Sequence, residues 1–272
     1  MSYKIEGNTI IFNDNFNKKI NNFYWPELLE SITFGNSFNQ PLEDVKWPDS
    51  LKSIHFGHVF NQPLEDVNWS STLETITFGF LFNQPIENVK WPMSLKTIDF
   101  HHDFNQPIEK VKWPESLETI HFGREFNQSI ETVNWSSSIK RILLGSKFNQ
   151  DISKVKWPES LESINFGWFF NQPIEDVKWP DSLKSITFGL RFNQDISKVK
   201  WPMSLKSITF GEYFNQSLDN LPEGLETLSV SNLQYPLTNL PVSLKKLCVN
   251  YTTDEIILQS KIPFGCEVIK KI

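Results

Sequence analysis

The sequence predicts a β-rich repeat solenoid, in which each coil of 22 residues contributes one short parallel strand. Phenylalanine heads the tripeptide FNQ at positions 38, 60, 82, 104, 126, 148, 170, 192 and 214, a constant spacing of 22 residues. Tryptophan keeps this spacing from Trp25 to Trp201, and only Trp168 lies outside it. Stretches such as SIHF alternate apolar and polar residues, which is typical of strands.

One coil, residues 38–57, contains the elements in order. Seven apolar side chains are expected to point into the core, and in this coil they are Phe38, Leu42, Val45, Trp47, Leu51, Ile54 and Phe56. The polar residues of SIHF then face outward. Apolar residues three apart followed by proline predict a short irregular or 3₁₀ return rather than a full helix.

A charge pattern supports parallel strands in register. The residue after the leucine of each coil alternates in sign over most of the chain, as in Glu30, Lys52, Glu74 and Lys96. Equivalent residues on neighbouring parallel strands lie about 4.8 Å apart, so opposite charges attract there.

The composition favours a folded protein that does not bind nucleic acid. The 272 residues are 39% hydrophobic and 14% aromatic, which allows a large core. The net charge of −6 offers no basic footprint for phosphate backbones. We find no signal-peptide layout and no apolar run that could span a membrane. With only two cysteines, we expect a cytoplasmic protein without a membrane partner.

The spellings FNQPL and FNQPI resemble the FNIP repeats, over roughly Phe16 to Gln216. Beyond them, LDNLPEGLETLSVSN and LTNLPVSLKKLCVN look like leucine-rich repeats of the LPxxLxxLxV form. The resemblance implies a right-handed, leucine-rich-repeat-like horseshoe with little helix. We expect a single solenoid domain over residues 1–272, with a capping strand at 1–15, FNIP-type coils at 16–216, LP-type coils at 217–250 and a C-terminal cap at 251–272.

The same resemblance implies an asparagine ladder. In leucine-rich repeats such a ladder satisfies backbone groups in the turn after the strand, which suggests this role for Asn39, Asn61 and Asn83. A row of asparagines that only lies on the surface is the alternative.

Specific contacts must lie where the coils differ. The outward position of each strand varies from coil to coil and is expected to line the concave face. The pair of residues before each FNQ also varies, and we call these pairs the rim. Exposed aromatic residues on the rim favour a protein interface, unless they fold back onto the neighbouring coil. The aligned tryptophans are instead expected to form a stacked structural spine. The predicted binding residues are His55, His58, Phe80, Leu81, Asp99, His101, His102, Asp103, His121, Arg124, Trp168, Phe169, Arg191 and Tyr213.

One coil reads FHHDFNQ where others read FG and two variable residues before FNQ. Asp99 and His101 face the same side of one strand, and His121 lies beside Asp99 on the next. A metal site is one interpretation, and a polar contact patch without metal is the one we favour, so no cofactor is predicted. The usual glycine is expected to supply a left-handed backbone conformation that His101 adopts only at a cost.

The sequence does not favour an enzyme. Cys248 lies about six coils from His121, so the two cannot act as nucleophile and base. Neither a phosphate-binding loop nor closely spaced CxxC pairs occur. The paired acids before each tryptophan recur in coil after coil, which indicates a solvated face rather than a unique catalytic pair.

We therefore expect a protein-binding scaffold that acts as a monomer on a protein partner, in the host cytoplasm if the chain is viral. FNIP-repeat proteins occur in amoebae and their giant viruses, and some carry an F-box, which implies ubiquitin-ligase substrate adaptors. This chain would be a relative without the F-box. A structural or self-assembling protein is an alternative, and glycan binding through Trp168 and Tyr213 is a third.

Overall fold

The protein is described by a computed structural model, which covers residues 2–231, 233–250 and 254–271. The chain forms two compact units. Unit 1 comprises residues 1–128 and 133–139, and unit 2 comprises residues 129–132 and 140–272. The boundary falls inside the repeats rather than at a linker.

Unit 1 is a ladder of short strands in sequence order. The strands are β1 Tyr3–Glu6, β2 Thr9–Phe12, β3 Ser31–Thr33, β4 Ser53–His55, β5 Thr75–Thr77, β6 Thr97–Asp99 and β7 Thr119–His121. From β2 to β7 all pairs are parallel, and Ile10 of the predicted capping strand aligns with Ile32. The first strand was not foreseen as separate: β1 pairs antiparallel with β2 through a hairpin that contains Gly7.

Unit 2 continues the same kind of coil. Its elements are β8 Arg141–Leu143, β9 Ser163–Asn165, β10 Ser185–Thr187, β11 Ser207–Phe210, β12 Thr227–Val230, β13 Lys246–Asn250, α1 Asp254–Gln259 and β14 Glu267–Lys271. All its strand pairs are parallel. Part of the predicted C-terminal cap, residues 251–253 and 272, lies outside the described residues. No helix within the described ranges has the length and apolar character needed to cross a bilayer.

The core confirms the predicted inward positions. In coil 38–57 all seven are at most 8% exposed. The phenylalanines stack from coil to coil, with the Phe60 and Phe82 ring centroids 6.2 Å apart. The tryptophans stack in the same way, at 6.1 Å between Trp47 and Trp69. Together these contacts confirm a β-rich solenoid with one parallel strand per coil and little helix. The returns are irregular, with isolated turns such as Val45 N–H to Leu42 O.

The asparagine ladder is present and more elaborate than predicted. The Oδ1 atom of Asn39 accepts the backbone N–H of Asn61 at 2.9 Å, and Asn61 does the same for Asn83. The following glutamine also takes part, since the Gln62 side-chain amide donates to Oδ1 of Asn39. These asparagines are half-buried and satisfy backbone donors, so they are not a passive surface row.

The glycines before the rim are required for a reason that the sequence did not indicate. Gly57, Gly79 and Gly189 are not in the left-handed region; the described glycines with positive φ are Gly7 and Gly265. A Cβ atom on Gly79 would instead overlap the carbonyl oxygen of Gly57 in the preceding coil. The prediction of a left-handed glycine is therefore wrong for these coils, where the close approach of the preceding backbone leaves no room for a Cβ atom.

The alternating charges form ion pairs between neighbouring coils. Lys52 Nζ lies 2.6 Å from Glu30, and Lys184 Nζ lies 3.0 Å from Glu162. The pattern breaks where Lys206 follows Lys184, and there Lys206 turns to Glu226 at 3.3 Å. These contacts support the predicted register.

Candidate functional site

The outward face of unit 1 holds a polar cluster at the predicted position. Asp99 on β6 and His121 on β7 are paired in register, and His121 Nδ1 lies 3.1 Å from Asp99 Oδ2. His55 on β4 is separated from Asp99 by Thr77 on β5. The structure thus brings Asp99 and His121 together and leaves His55 two strands away.

The two paired groups favour each other's charged form. The hydrogen bond to Asp99 raises the pKa of the His121 imidazole, although burial acts to lower it. Burial acts to raise the pKa of the Asp99 carboxyl, but His121 and the His101 N–H together outweigh it and hold that pKa below its usual value. Burial alone lowers the pKa of His55.

The backbone conformation of His101 explains why this coil can do without the usual glycine. Its φ is +59°, in the left-handed region, and it is the non-glycine residue with positive φ among the described residues. Asp99 Oδ1 accepts the His101 N–H at 2.8 Å and holds the turn. The His101 carbonyl accepts the N–H of Arg124 in the next coil at 3.0 Å. A left-handed histidine thus replaces a glycine whose Cβ would have met the preceding coil.

The rim of unit 1 is a stack of rings that satisfies itself. The Phe80 ring lies between His58 and His102, at centroid distances of 4.7 Å and 3.7 Å. His102 Nδ1 is 2.6 Å from Asp103 Oδ1. Phe80, His102 and Asp103 are half-buried. Here the alternative prediction holds, because the rim aromatic packs onto its neighbours.

Two further predicted residues of unit 1 remain at the surface. Leu81 is 37% exposed. Arg124 is exposed, and its Nε lies 4.0 Å from Glu125 Oε1. Neither belongs to the ring stack.

The rim of unit 2 is an exposed aromatic surface. Trp168 is 62% exposed, Phe169 40% and Tyr213 58%. The Arg191 guanidinium lies over the Phe169 ring, 4.9 Å from its centroid. Backbone hydrogen bonds from Arg191 N–H to Trp168 O and from Tyr213 N–H to Leu190 O, at 2.9 and 3.0 Å, fix these turns to one another. We call Trp168, Phe169, Leu190, Arg191 and Tyr213 the unit 2 rim patch.

In the polar cluster of unit 1, Asp99 and His121 are the pair whose side chains are in contact. Within residues 2–231, 233–250 and 254–271, no three His, Cys, Asp or Glu side chains are arranged to hold a metal ion. The left-handed turn leaves His101 outside the Asp99–His121 pair, with its backbone N–H rather than its ring contacting Asp99.

Sequence reasoning missed one feature of unit 2. A cleft of about 360 Å³ lies where the FNIP spelling gives way to the LP spelling, and Phe214, Leu218 and Tyr235 are among its lining residues. Beside this junction, the Asn220 side-chain amide donates to the Val199 carbonyl, and the backbone carbonyl of Asn220 accepts the Trp201 indole N–H at 2.7 Å. The sequence feature that could have indicated this cleft is the shortening of VKWP in the FNIP-type coils to LP in the following coils.

Comparison with known families decides the identity of the repeat. The FNIP Repeat family matches residues 38–80, 82–125, 104–135, 126–169, 170–213 and 192–233. The chain belongs to the FNIP repeat family. No curated protein matches the sequence.

Solved structures place this FNIP-repeat chain among leucine-rich-repeat folds. CroV588, a giant-virus protein described as a novel circular LRR protein structure, is 28% identical with a TM-score of 0.69. The alignment covers 99% of this chain and 54% of CroV588, so the chain spans about half of that protein's length. A leucine-rich repeat protein of Bacteroides ovatus is 15% identical with a TM-score of 0.23, over 99% of this chain and 98% of that one. Proteins of this repeat family and fold are generally non-catalytic.

Proposed function

We propose that this FNIP-repeat chain is a non-catalytic scaffold that binds a partner protein through its outward faces and rims. The observation that carries the proposal is the unit 2 rim patch, where three aromatic side chains are 40% to 62% exposed. Large exposed aromatic side chains cost solvation free energy in a lone chain, and protein interfaces use such residues as anchors.

The construction of the coil supports this role. The buried positions, the asparagine ladder and the glycines repeat with little change, whereas the rim residues differ in every coil. The backbone under the rim is held by hydrogen bonds between coils, such as Arg191 N–H to Trp168 O. Side chains on a rigid support lose little freedom on binding, which favours affinity.

We further propose that the partner is a cytoplasmic protein of the host cell. Both cysteines, Cys248 and Cys266, are free thiols, which is compatible with a reducing compartment. The net charge of −6 argues against a nucleic-acid partner.

Self-assembly is the second candidate function. The observation that favours it is the likeness to CroV588, which is described as circular and of which this chain matches 54%. The charged residues Lys4 and Glu6 on β1 act against edge-to-edge pairing of strands. Light scattering over a range of protein concentrations separates the two, since a concentration-independent monomer contradicts self-assembly.

Affinity capture from amoebal lysate tests the scaffold proposal. The bait is the wild-type chain, the Trp168→Ala/Tyr213→Ala variant, or the matched control Met203→Ala/Val242→Ala, whose side chains are 93% and 92% exposed away from the rim. We expect a protein that the wild type and the control retain and that the rim variant loses by roughly 30-fold, the effect of one interface hot spot. Equal retention by all three baits would contradict the proposal.

A further inference from the structure

The Arg191 side chain is an oriented cation without a carboxylate partner. Its guanidinium rests on the Phe169 ring at 4.9 Å, and it pairs with no acidic side chain among the described residues. Two other cations of unit 2 illustrate the contrast, since Lys184 pairs with Glu162 and Lys245 pairs with Glu226. The fork of guanidinium donors is therefore available to an external anion.

The surroundings of Arg191 are fixed by the same backbone that builds the rim. Gly189 excludes any side chain, because a Cβ there would overlap the Gly167 carbonyl oxygen. Hydrogen bonds join Arg191 to Trp168 and Tyr213 to Leu190 across three successive coils. The guanidinium and the exposed rings are thus presented at constant spacing, about 4.8 Å per coil.

The charges of Arg191 and Glu212 determine where an anionic group can bind on this surface. Glu212 is exposed on the coil that follows Arg191, next to Tyr213. An incoming carboxylate is attracted to Arg191 and repelled by Glu212, so it must lie on the Arg191 side of the patch. Large apolar groups find Trp168 on one side and Tyr213 on the other.

We propose that the unit 2 rim patch recognises a linear peptide segment of the partner in which an Asp or Glu lies next to a large apolar side chain. The inference rests on the proposed scaffold function and specifies its ligand. Arg191 donates two hydrogen bonds to the carboxylate, a geometry that a guanidinium matches and an ammonium does not. Trp168 and Tyr213 pack against the apolar side chain, and Phe169 holds the guanidinium in place through its ring face.

Selection from a random linear peptide library displayed on phage tests the proposal. The wild-type chain should enrich peptides with an acidic residue beside an aromatic or aliphatic one. The Arg191→Glu variant should enrich basic residues at that same place. The control Lys178→Glu reverses an exposed cation of unit 2 that lies between Val177 and Trp179, away from the rim, and it should select the same peptides as the wild type.

A double-mutant comparison by fluorescence anisotropy then measures the contact itself. The best selected peptide should lose roughly tenfold in affinity for the wild type when its acidic residue becomes Gln or Asn. The same change should have almost no effect on binding to Arg191→Glu. Arg191→Lys should also weaken binding, because charge is kept while the paired hydrogen bonds are lost.

Several results would overturn the proposal. Selected peptides without acidic enrichment, or an enrichment that persists in Arg191→Glu, contradict the role of Arg191. So does preferential binding of a phosphorylated peptide, a single-stranded oligonucleotide or a glycan that depends on Trp168. If capture from lysate still depends on Trp168 and Tyr213 in such a case, the scaffold function stands and only the peptide class is wrong. If capture is independent of them, the scaffold proposal fails as well.

Discussion

The rims of the two units occupy the equivalent turn of their coils, but their aromatic side chains differ in exposure to solvent. In unit 1 the rings of His58, Phe80 and His102 stack on one another, and Asp103 pairs with His102. In unit 2 the rings of Trp168 and Tyr213 are more than half exposed. The aromatic ring at the centre of the unit 1 rim is therefore covered by its neighbours, whereas those of the unit 2 rim are exposed to solvent.

This difference indicates how the fold separates stability from recognition. Core, ladder and glycine positions are shared by the two units apart from His101, so neither rim is needed to define the coil. The two rim residues of each coil vary, and their chemistry decides whether the rim packs on itself or stays exposed. Variants that affect one unit and not the other can test this separation.

The largest expected effect comes from the glycine under the rim. In unit 2, Gly189→Ala forces a Cβ into the Gly167 carbonyl, and we expect a loss of about 3 kcal/mol or more in the free energy of unfolding. In unit 1, the nearest atoms to a Cβ on Gly123 are the carbonyl oxygens of His102 and His101, at 2.8 and 2.9 Å. Gly123→Ala should therefore cost only about 1 to 2 kcal/mol.

Urea denaturation followed by circular dichroism measures both glycine variants. The left-handed turn at His101 is what separates them, because it moves the preceding carbonyls away from the glycine that follows. Equal losses for Gly123→Ala and Gly189→Ala would show that the turn provides no such room.

The next effect concerns the rings. Phe80→Ala removes the centre of the stack in unit 1 and should lower the free energy of unfolding by about 1 to 2 kcal/mol. Trp168→Ala removes a larger ring that is 62% exposed, and it should change that free energy by less than about 0.5 kcal/mol. Urea denaturation of the two variants at one pH decides the point, and a larger loss for Trp168→Ala would contradict an open rim in unit 2.

The sequence predicted the fold well because periodicity is a strong signal. Constant spacing placed Ile54, Phe56 and Trp47 in the core, and the alternating charges gave the strand register. The resemblance to leucine-rich repeats implied the asparagine ladder. These features recur in every coil, and each copy is independent evidence for the same structure.

The candidate site was harder to predict because its residues occur in one place only and do not recur from coil to coil. Whether a rim aromatic packs or stays exposed depends on its neighbours 22 residues away: Phe80 has two histidines beside it, whereas Trp168 has serine and leucine. The reason for the repeated glycine was predicted wrongly, because the close approach of the preceding coil's backbone is not visible in the sequence of a single coil. The cation over Phe169 likewise depends on a contact between coils that no motif encodes.

A smaller effect is expected at His101. A non-glycine residue in the left-handed region costs about 1 kcal/mol, so His101→Gly should stabilise unit 1 by about 0.5 kcal/mol after the greater freedom of glycine in the unfolded chain is included. Thermal melting measures the gain. His102→Gly serves as control and should lower stability, since it removes a ring from the stack. A loss of stability in His101→Gly would mean that the turn is not strained.

The smallest effect depends on pH and belongs to unit 1, which contains all five histidines. The pKa of His121 is raised, so its pairing with Asp99 stabilises the fold fully below about pH 6.5 and is lost as the pH rises through the folded value. The pKa of Asp99 is lowered, so its part is present above about pH 4 and is lost as the pH falls through the folded value. The pair therefore contributes most between about pH 4 and 6.5.

The difference in unfolding free energy between the wild type and His121→Gln isolates this pair, because the opposing titration of His55 is common to both chains. The two side chains are 44% and 29% exposed, which limits the difference to about 0.3 kcal/mol at pH 5. It should shrink towards pH 8. The difference in unfolding free energy between the wild type and Asp99→Asn should depend on pH in the same way, and the asparagine side chain of that variant keeps an oxygen that accepts the His101 N–H. A difference that stays constant from pH 5 to 8 would mean that His121 is held by packing alone and carries no charge in the fold.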